Sequence, residues 1–168
     1  NGTYGVEFTC GTTTEIGTFS GGALDSDVAI TWEAWIDPNA LSSVNETNIG
    51  SLQNNAGTLT NLRIRIVTVS GEQRVRLLIT RDDATLAGTS YVAITDAYHQ
   101  LRVTWHSATG VGANDGYAYY FIDGAFGAGI TGQDNDTLVT GIANFGWTGV
   151  ASSSGTLYMD DCRIADVV

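Results

Sequence analysis

Lysine is absent from this chain of 168 residues, and proline occurs once. The seven basic residues are therefore all arginine, and they face 18 acidic ones for a formal net charge of −11. A phosphate backbone is bound by a net basic surface, so this balance excludes nucleic acid as a partner. No run approaches the roughly 18 to 20 apolar residues of a membrane-spanning helix, which excludes membrane insertion of that kind. Nothing at the N-terminus reads as a signal peptide. Helical periodicity is missing as well, and so are internal repeats and low-complexity linkers, so residues 1–168 read as one domain.

What is present is the material of strands and turns. Glycine occurs 21 times and apolar residues make up 43% against 15% charged, with short apolar runs between Gly, Ser, Asn and Asp clusters. Strands are expected over residues 4–9, 28–36, 62–69, 74–80, 91–94, 99–106, 117–122, 142–147 and 156–165. Two turns are more specific. Asp123-Gly124 follows Tyr-Tyr-Phe-Ile and suits a type I′ hairpin, whose two central residues need positive φ. Ser70-Gly71 separates two segments that alternate arginine with aliphatic residues. A two-residue turn there would put Arg63, Arg65, Arg74 and Arg76 on one face with Arg65 opposite Arg76. Like charges so placed call for acidic neighbours or an anionic ligand such as a uronate or sulfate.

Cys10 and Cys162 lie near opposite ends of the chain, as expected if the first and last strands run side by side. A disulfide between them would stabilise the fold by about 4 to 5 kcal/mol and imply an oxidising compartment, secreted or cell-surface. Two buried free thiols are the alternative. Asn-x-Ser/Thr sequons begin at Asn1, Asn45 and Asn135.

Several segments resemble, in order and spacing, the laminin-G-like or concanavalin-A-like jelly-roll superfamily. Ile30-Thr31-Trp32-Glu33-Ala34-Trp35-Ile36-Asp37-Pro38 is similar to its "FTIEAWVKP" strand. His99-Gln100-Leu101-Arg102-Val103-Thr104 and Tyr120-Phe121-Ile122-Asp123-Gly124 resemble its "WHHVALT … LYVDG" pair. Leu157 to Ile164 resembles its closing "IDDVRI" strand, and Val6-Glu7-Phe8 weakly matches the opening one. The resemblance implies an all-β, two-sheet antiparallel sandwich with the chain ends adjacent in one sheet. It places Ala118, Tyr120 and Ile122 inward, with Tyr117, Tyr119 and Phe121 on the opposite face.

Members of that superfamily include carbohydrate-binding modules, lectins, hydrolases and lyases, so the site must decide the function. Hydrolytic members carry paired carboxylates on one strand, for which the nearest candidates here are Glu33 and Asp37. Lyase signatures combining Arg, Gln-x-His and Tyr-x-Lys are missing, and His99 and His106 differ in strand parity. The chain therefore reads as non-catalytic. The leading expectation is a lectin-like domain binding a polysaccharide through Arg63, Arg65, Arg74, Arg76, Tyr117, Tyr119 and Trp147, with Trp32 a further ring. The alternative is an extracellular structural subunit that self-associates. Calcium is an expected structural ligand of Asp25 with Asp27, Asp134 with Asp136, or Asp160-Asp161 on the closing strand.

Overall fold

The computed structural model describes residues 6–20, 29–54, 56–136 and 141–166. Among these there is no helix, and none therefore long and apolar enough to cross a membrane. The strands are β1 (Val6–Thr9), β2 (Glu15–Ser20), β3 (Ala29–Asp37), β4 (Ser42–Ser43), β5 (Thr47–Gln53), β6 (Thr60–Val69), β7 (Glu72–Thr80) and β8 (Leu86–Gly88). After them come β9 (Val92–Ile94), β10 (His99–His106), β11 (Gly116–Ile122), β12 (Ala125–Gln133), β13 (Ile142–Trp147), β14 (Ser153–Ser154) and β15 (Thr156–Asp166). One sheet has six strands in the order β1-β15-β3-β10-β11-β12, and the other has seven strands, β2-β13-β5-β6-β7-β8 with β9 also on β7. Both are antiparallel, and together they form a jelly-roll β-sandwich.

Alternation builds the core. In β3, Ile30, Trp32, Ala34 and Ile36 are buried while Thr31, Glu33, Trp35 and Asp37 face outward. Leu62, Ile64 and Ile66 of β6 and Val75, Leu77 and Ile79 of β7 meet them from the second sheet, each buried aliphatic contributing about 2 kcal/mol. Trp32 stacks on Phe145 of β13 with centroids 4.6 Å apart. Gly50 is required beside that stack, because a Cβ there would sit 2.6 Å from the Trp32 ring.

Both expected hairpins form, with positive φ at Ser70 and Gly71 and at Asp123 and Gly124. The opening and closing strands pair, Val6 opposite Met159 and Thr9 opposite Thr156. That register corrects the disulfide expectation. Cys10 donates its backbone N–H to Gly155 O (3.1 Å), whereas Cys162 lies seven residues beyond Gly155 along the same segment. At about 3.3 Å per residue the two cysteines are roughly 20 Å apart, beyond the about 7 Å a disulfide can span. Both thiols are free. Burial, and then Glu15, pushes the Cys10 thiol up to about 12; burial, followed by Asp160 and Asp161, pushes Cys162 to about 11. The sequon at Asn135 is also accounted for by the core: Asn135 is fully buried and accepts the Ala108 N–H, so its side chain is closed to modification in this fold.

Candidate functional site

The residues expected to bind sugar do not share a face. The arginines lie on the outer face of the seven-stranded sheet, Tyr117 and Tyr119 lie on the outer face of the six-stranded sheet, and the sandwich separates them. Trp147 belongs to neither. It is fully buried, as Trp32 is, and donates Nε1–H to Gly11 O, so its assignment as a sugar-binding ring is corrected by the closure of the core around it.

On the arginine face, Arg65 stands directly opposite Arg76. Glu46, immediately before β5, enters between them. Its carboxylate accepts from Arg65 (2.9 Å) and Arg76 (2.6 Å) and also takes the Tyr91 hydroxyl, whose ring lies 4.7 Å under the Arg76 guanidinium. Arg65 Nε donates to Asn48 (3.0 Å), and Arg74 pairs with Glu72 (2.7 Å). Arg63 is held by Thr60 O and the Thr80 hydroxyl; burial and then Arg65 lower its pKa. Beside it, Thr18, Asn144 and Ser51 bond one another in a row across β2, β13 and β5. The like-charge conflict is thus resolved within the chain.

The opposite face is built from β3, β10, β11 and β12. Their pairing sets His106 beside Tyr117, Thr104 beside Tyr119, and Arg102 between Glu33 and Phe121. The rings form a continuous ladder. His106 stacks on Tyr117 (5.1 Å), Tyr117 meets Tyr119 (5.0 Å), Tyr119 meets Phe126 (6.2 Å), and Phe126 meets Phe121 edge-on (5.8 Å). Phe126 is 61% exposed. Gly129, opposite Tyr119 on β12, lets the ring lie flat, since any Cβ would collide with it. The Arg102 guanidinium sits 4.8 Å over the Phe121 ring, while Gln100 donates to Glu33 (3.1 Å) and Trp35 stands exposed beside Gln100. Arg102, His106 and Phe126 carried no distinct signal as a group in the sequence; only the alternation of β10 and the Asp-Gly turn, read together, bring them to one face.

The histidines divide as strand parity suggests. His106 donates Nδ1–H to Ser107 O (2.5 Å), which leaves the Nε2 lone pair without a partner among the described residues. His99 bridges Asp123 (2.7 Å) and the Thr95 hydroxyl (2.8 Å), and that bond lowers the Asp123 pKa. Glu33 and Asp37 do share the outer face, but Asp37 caps the Asn39 N–H (3.0 Å).

Of the carboxylates considered for calcium, Asp25 and Asp27 lie outside the described residues. Asp160 accepts the Asp161 N–H (2.7 Å) and Asp161 pairs with Arg163 (2.8 Å). Asp134 and Asp136 instead join Asp82, with ligand oxygens all within 4.8 Å of one another. Burial, and next Asp82, raise the Asp136 pKa.

No family model and no curated protein matches the chain. Solved structures do. An alginate lyase from Chlorella virus superposes with a TM-score of 0.64 at 11% identity, covering 97% of this chain and 85% of the lyase. An endo-β-1,4-glucuronan lyase from the fungus Trichoderma reesei gives 0.64 at 13% identity over 99% of this chain and 83% of its own. The receptor binding domain of botulinum neurotoxin D gives 0.61 at 13% identity, with 99% of this chain covering 44% of that one. At such identities the fold is what is shared. The expectation of a non-catalytic chain is nevertheless overturned, because alginate and glucuronan lyases stand among the structures most like it.

Proposed function

We propose that this domain binds a polysaccharide on the outer face of the six-stranded sheet. The observation that carries this reading is the unbroken ladder from His106 through Tyr117, Tyr119 and Phe126 to Phe121 on an open sheet face. Flat rings stack on the apolar faces of pyranoses, and Arg102, Gln100 and Glu33 stand beside them to bond hydroxyls. The carbohydrate-acting neighbours with this fold support the same class of ligand. The arginine face is a weaker candidate, because four of its arginines already have partners.

A second reading, cleavage of the bound chain, is favoured by the His106–Tyr117 stack, which joins a histidine whose Nε2 has no partner among the described residues to a phenol. In a β-elimination, a base takes the proton beside the sugar carboxylate. The bond to the glycosidic oxygen breaks, a carbon–carbon double bond forms, and the leaving oxygen takes up a proton. The two groups are of the kind that exchange those protons.

The test is binding of the purified domain to neutral and acidic polysaccharides, with the ultraviolet absorbance of unsaturated products followed in parallel. Tyr119→Ala is expected to weaken binding about tenfold, the worth of one lost stack, and Arg65→Ala to leave it unchanged. Growth of absorbance that His106→Ala abolishes would establish cleavage. Failure of every polysaccharide to bind, with sedimentation as an oligomer, would replace this reading by self-association.

A further inference from the structure

We infer that the glycan received by the ring face carries an oxyanion, a carboxylate or a sulfate, which docks on Arg102; this rests on the reading just given. The ground is a census of the arginines. Arg63 bonds Thr60 and Thr80, Arg65 and Arg76 share Glu46, Arg74 has Glu72, Arg81 bonds Gln133, and Arg163 has Asp161. Arg102 alone makes no side-chain hydrogen bond or ion pair among the described residues. In a chain with 18 acidic residues against seven arginines, a cation left over is informative. A carboxylate is even placed within reach, since Glu33 is directly opposite Arg102, yet Glu33 takes the Gln100 amide instead.

The guanidinium is also held ready. Its central carbon lies over the Phe121 ring, 4.8 Å from the centroid, a cation–π contact that uses none of its five N–H donors. Those donors make a fork that matches the two oxygens of a carboxylate or sulfate. Phe121, Phe126 and Tyr119 around it would be covered by a stacked sugar, and the attraction strengthens as water leaves. Glu33, held off by Gln100, keeps an acceptor for a neighbouring hydroxyl.

The experiment compares a polyuronate, a sulfated galactan and a neutral β-glucan on the wild-type chain, Arg102→Ala and Arg102→Lys, with circular dichroism to verify each fold. The wild type is expected to bind at least one acidic polymer about tenfold more tightly than the neutral one, and Arg102→Ala to bring it down to the neutral level. Arg102→Lys keeps the charge but loses the fork, so only part of the preference survives. Which acidic polymer wins distinguishes carboxylate from sulfate. Equal binding of acidic and neutral polymers, or a preference unchanged in Arg102→Ala, overturns the inference and leaves the polysaccharide reading standing. Binding of none of the three overturns both.

Discussion

The two outer faces of the sandwich treat arginine in opposite ways. On the seven-stranded sheet four arginines crowd one hairpin, and Glu46, Glu72, Thr60 and Thr80 consume them. On the six-stranded sheet Arg163 is paired with Asp161, while Arg102 stands beside the ring ladder with its donors unused. The conspicuous pattern in the sequence therefore marks a packing problem and its solution. The inconspicuous residue is the one left available, and availability rather than abundance separates a site from a scaffold.

The largest expected effect breaks the neutrality of the arginine face. Glu46→Ala leaves Arg65 and Arg76 facing each other, with side chains 26% and 24% exposed, and should cost about 1 to 3 kcal/mol in chemical denaturation. Combining it with Arg76→Leu should restore most of that loss, and a double variant as unstable as the single one would show that Glu46 acts otherwise. A smaller effect sharpens the ring face. Gly129→Ala forces the Tyr119 ring off β12, so affinity for polysaccharide should fall by about tenfold while the unfolding free energy changes by less than about 1 kcal/mol. The smallest effect lies away from both faces, at Asp136. Its folded pKa is raised, so its contribution to stability is fullest below the ordinary aspartate value of about 3.9 and is lost as pH rises through the raised value. Asp136→Asn should therefore raise the unfolding midpoint at about pH 7 and leave it unchanged at about pH 3.

Local chemistry made part of this legible in advance. The Ser70-Gly71 and Asp123-Gly124 turns and the facing of Arg65 and Arg76 follow from turn type and a period of two, whereas the inward aim of Tyr120 was implied by the jelly-roll resemblance. Strands β5 and β12 escaped for the same reason. Thr-Asn-Ile-Gly-Ser-Leu-Gln and Ala-Phe-Gly-Ala-Gly-Ile-Thr-Gly-Gln hold too much glycine and amide to read as strands, yet their glycines make room for the Trp32 and Tyr119 rings. Glu46 could not be recognised as the neutralising group because it reaches Arg76 only through the β5-β6-β7 order, a matter of sheet assembly. The same non-locality put Arg65 and Tyr119 on opposite faces and slid Cys10 away from Cys162. Of the site proposed here, Tyr117 and Tyr119 were placed outward by the jelly-roll resemblance, whereas Arg102 was hidden among ordinary strand residues.

Tyr120 sits between the ladder residues Tyr119 and Phe121 but points the other way, through the core, where its hydroxyl lies 3.1 Å from Val75 O and 3.2 Å from Ser90 O of the second layer. Trp32 crosses likewise to Asn144 O at 3.2 Å. Greasy layers held by dispersion alone could creep past one another, because such contact has no preferred registration. These two polar cross-pins give it one. The strand that displays the rings is riveted to the strand that carries Arg74 and Arg76, so the sandwich answers a load on either side as a single slab.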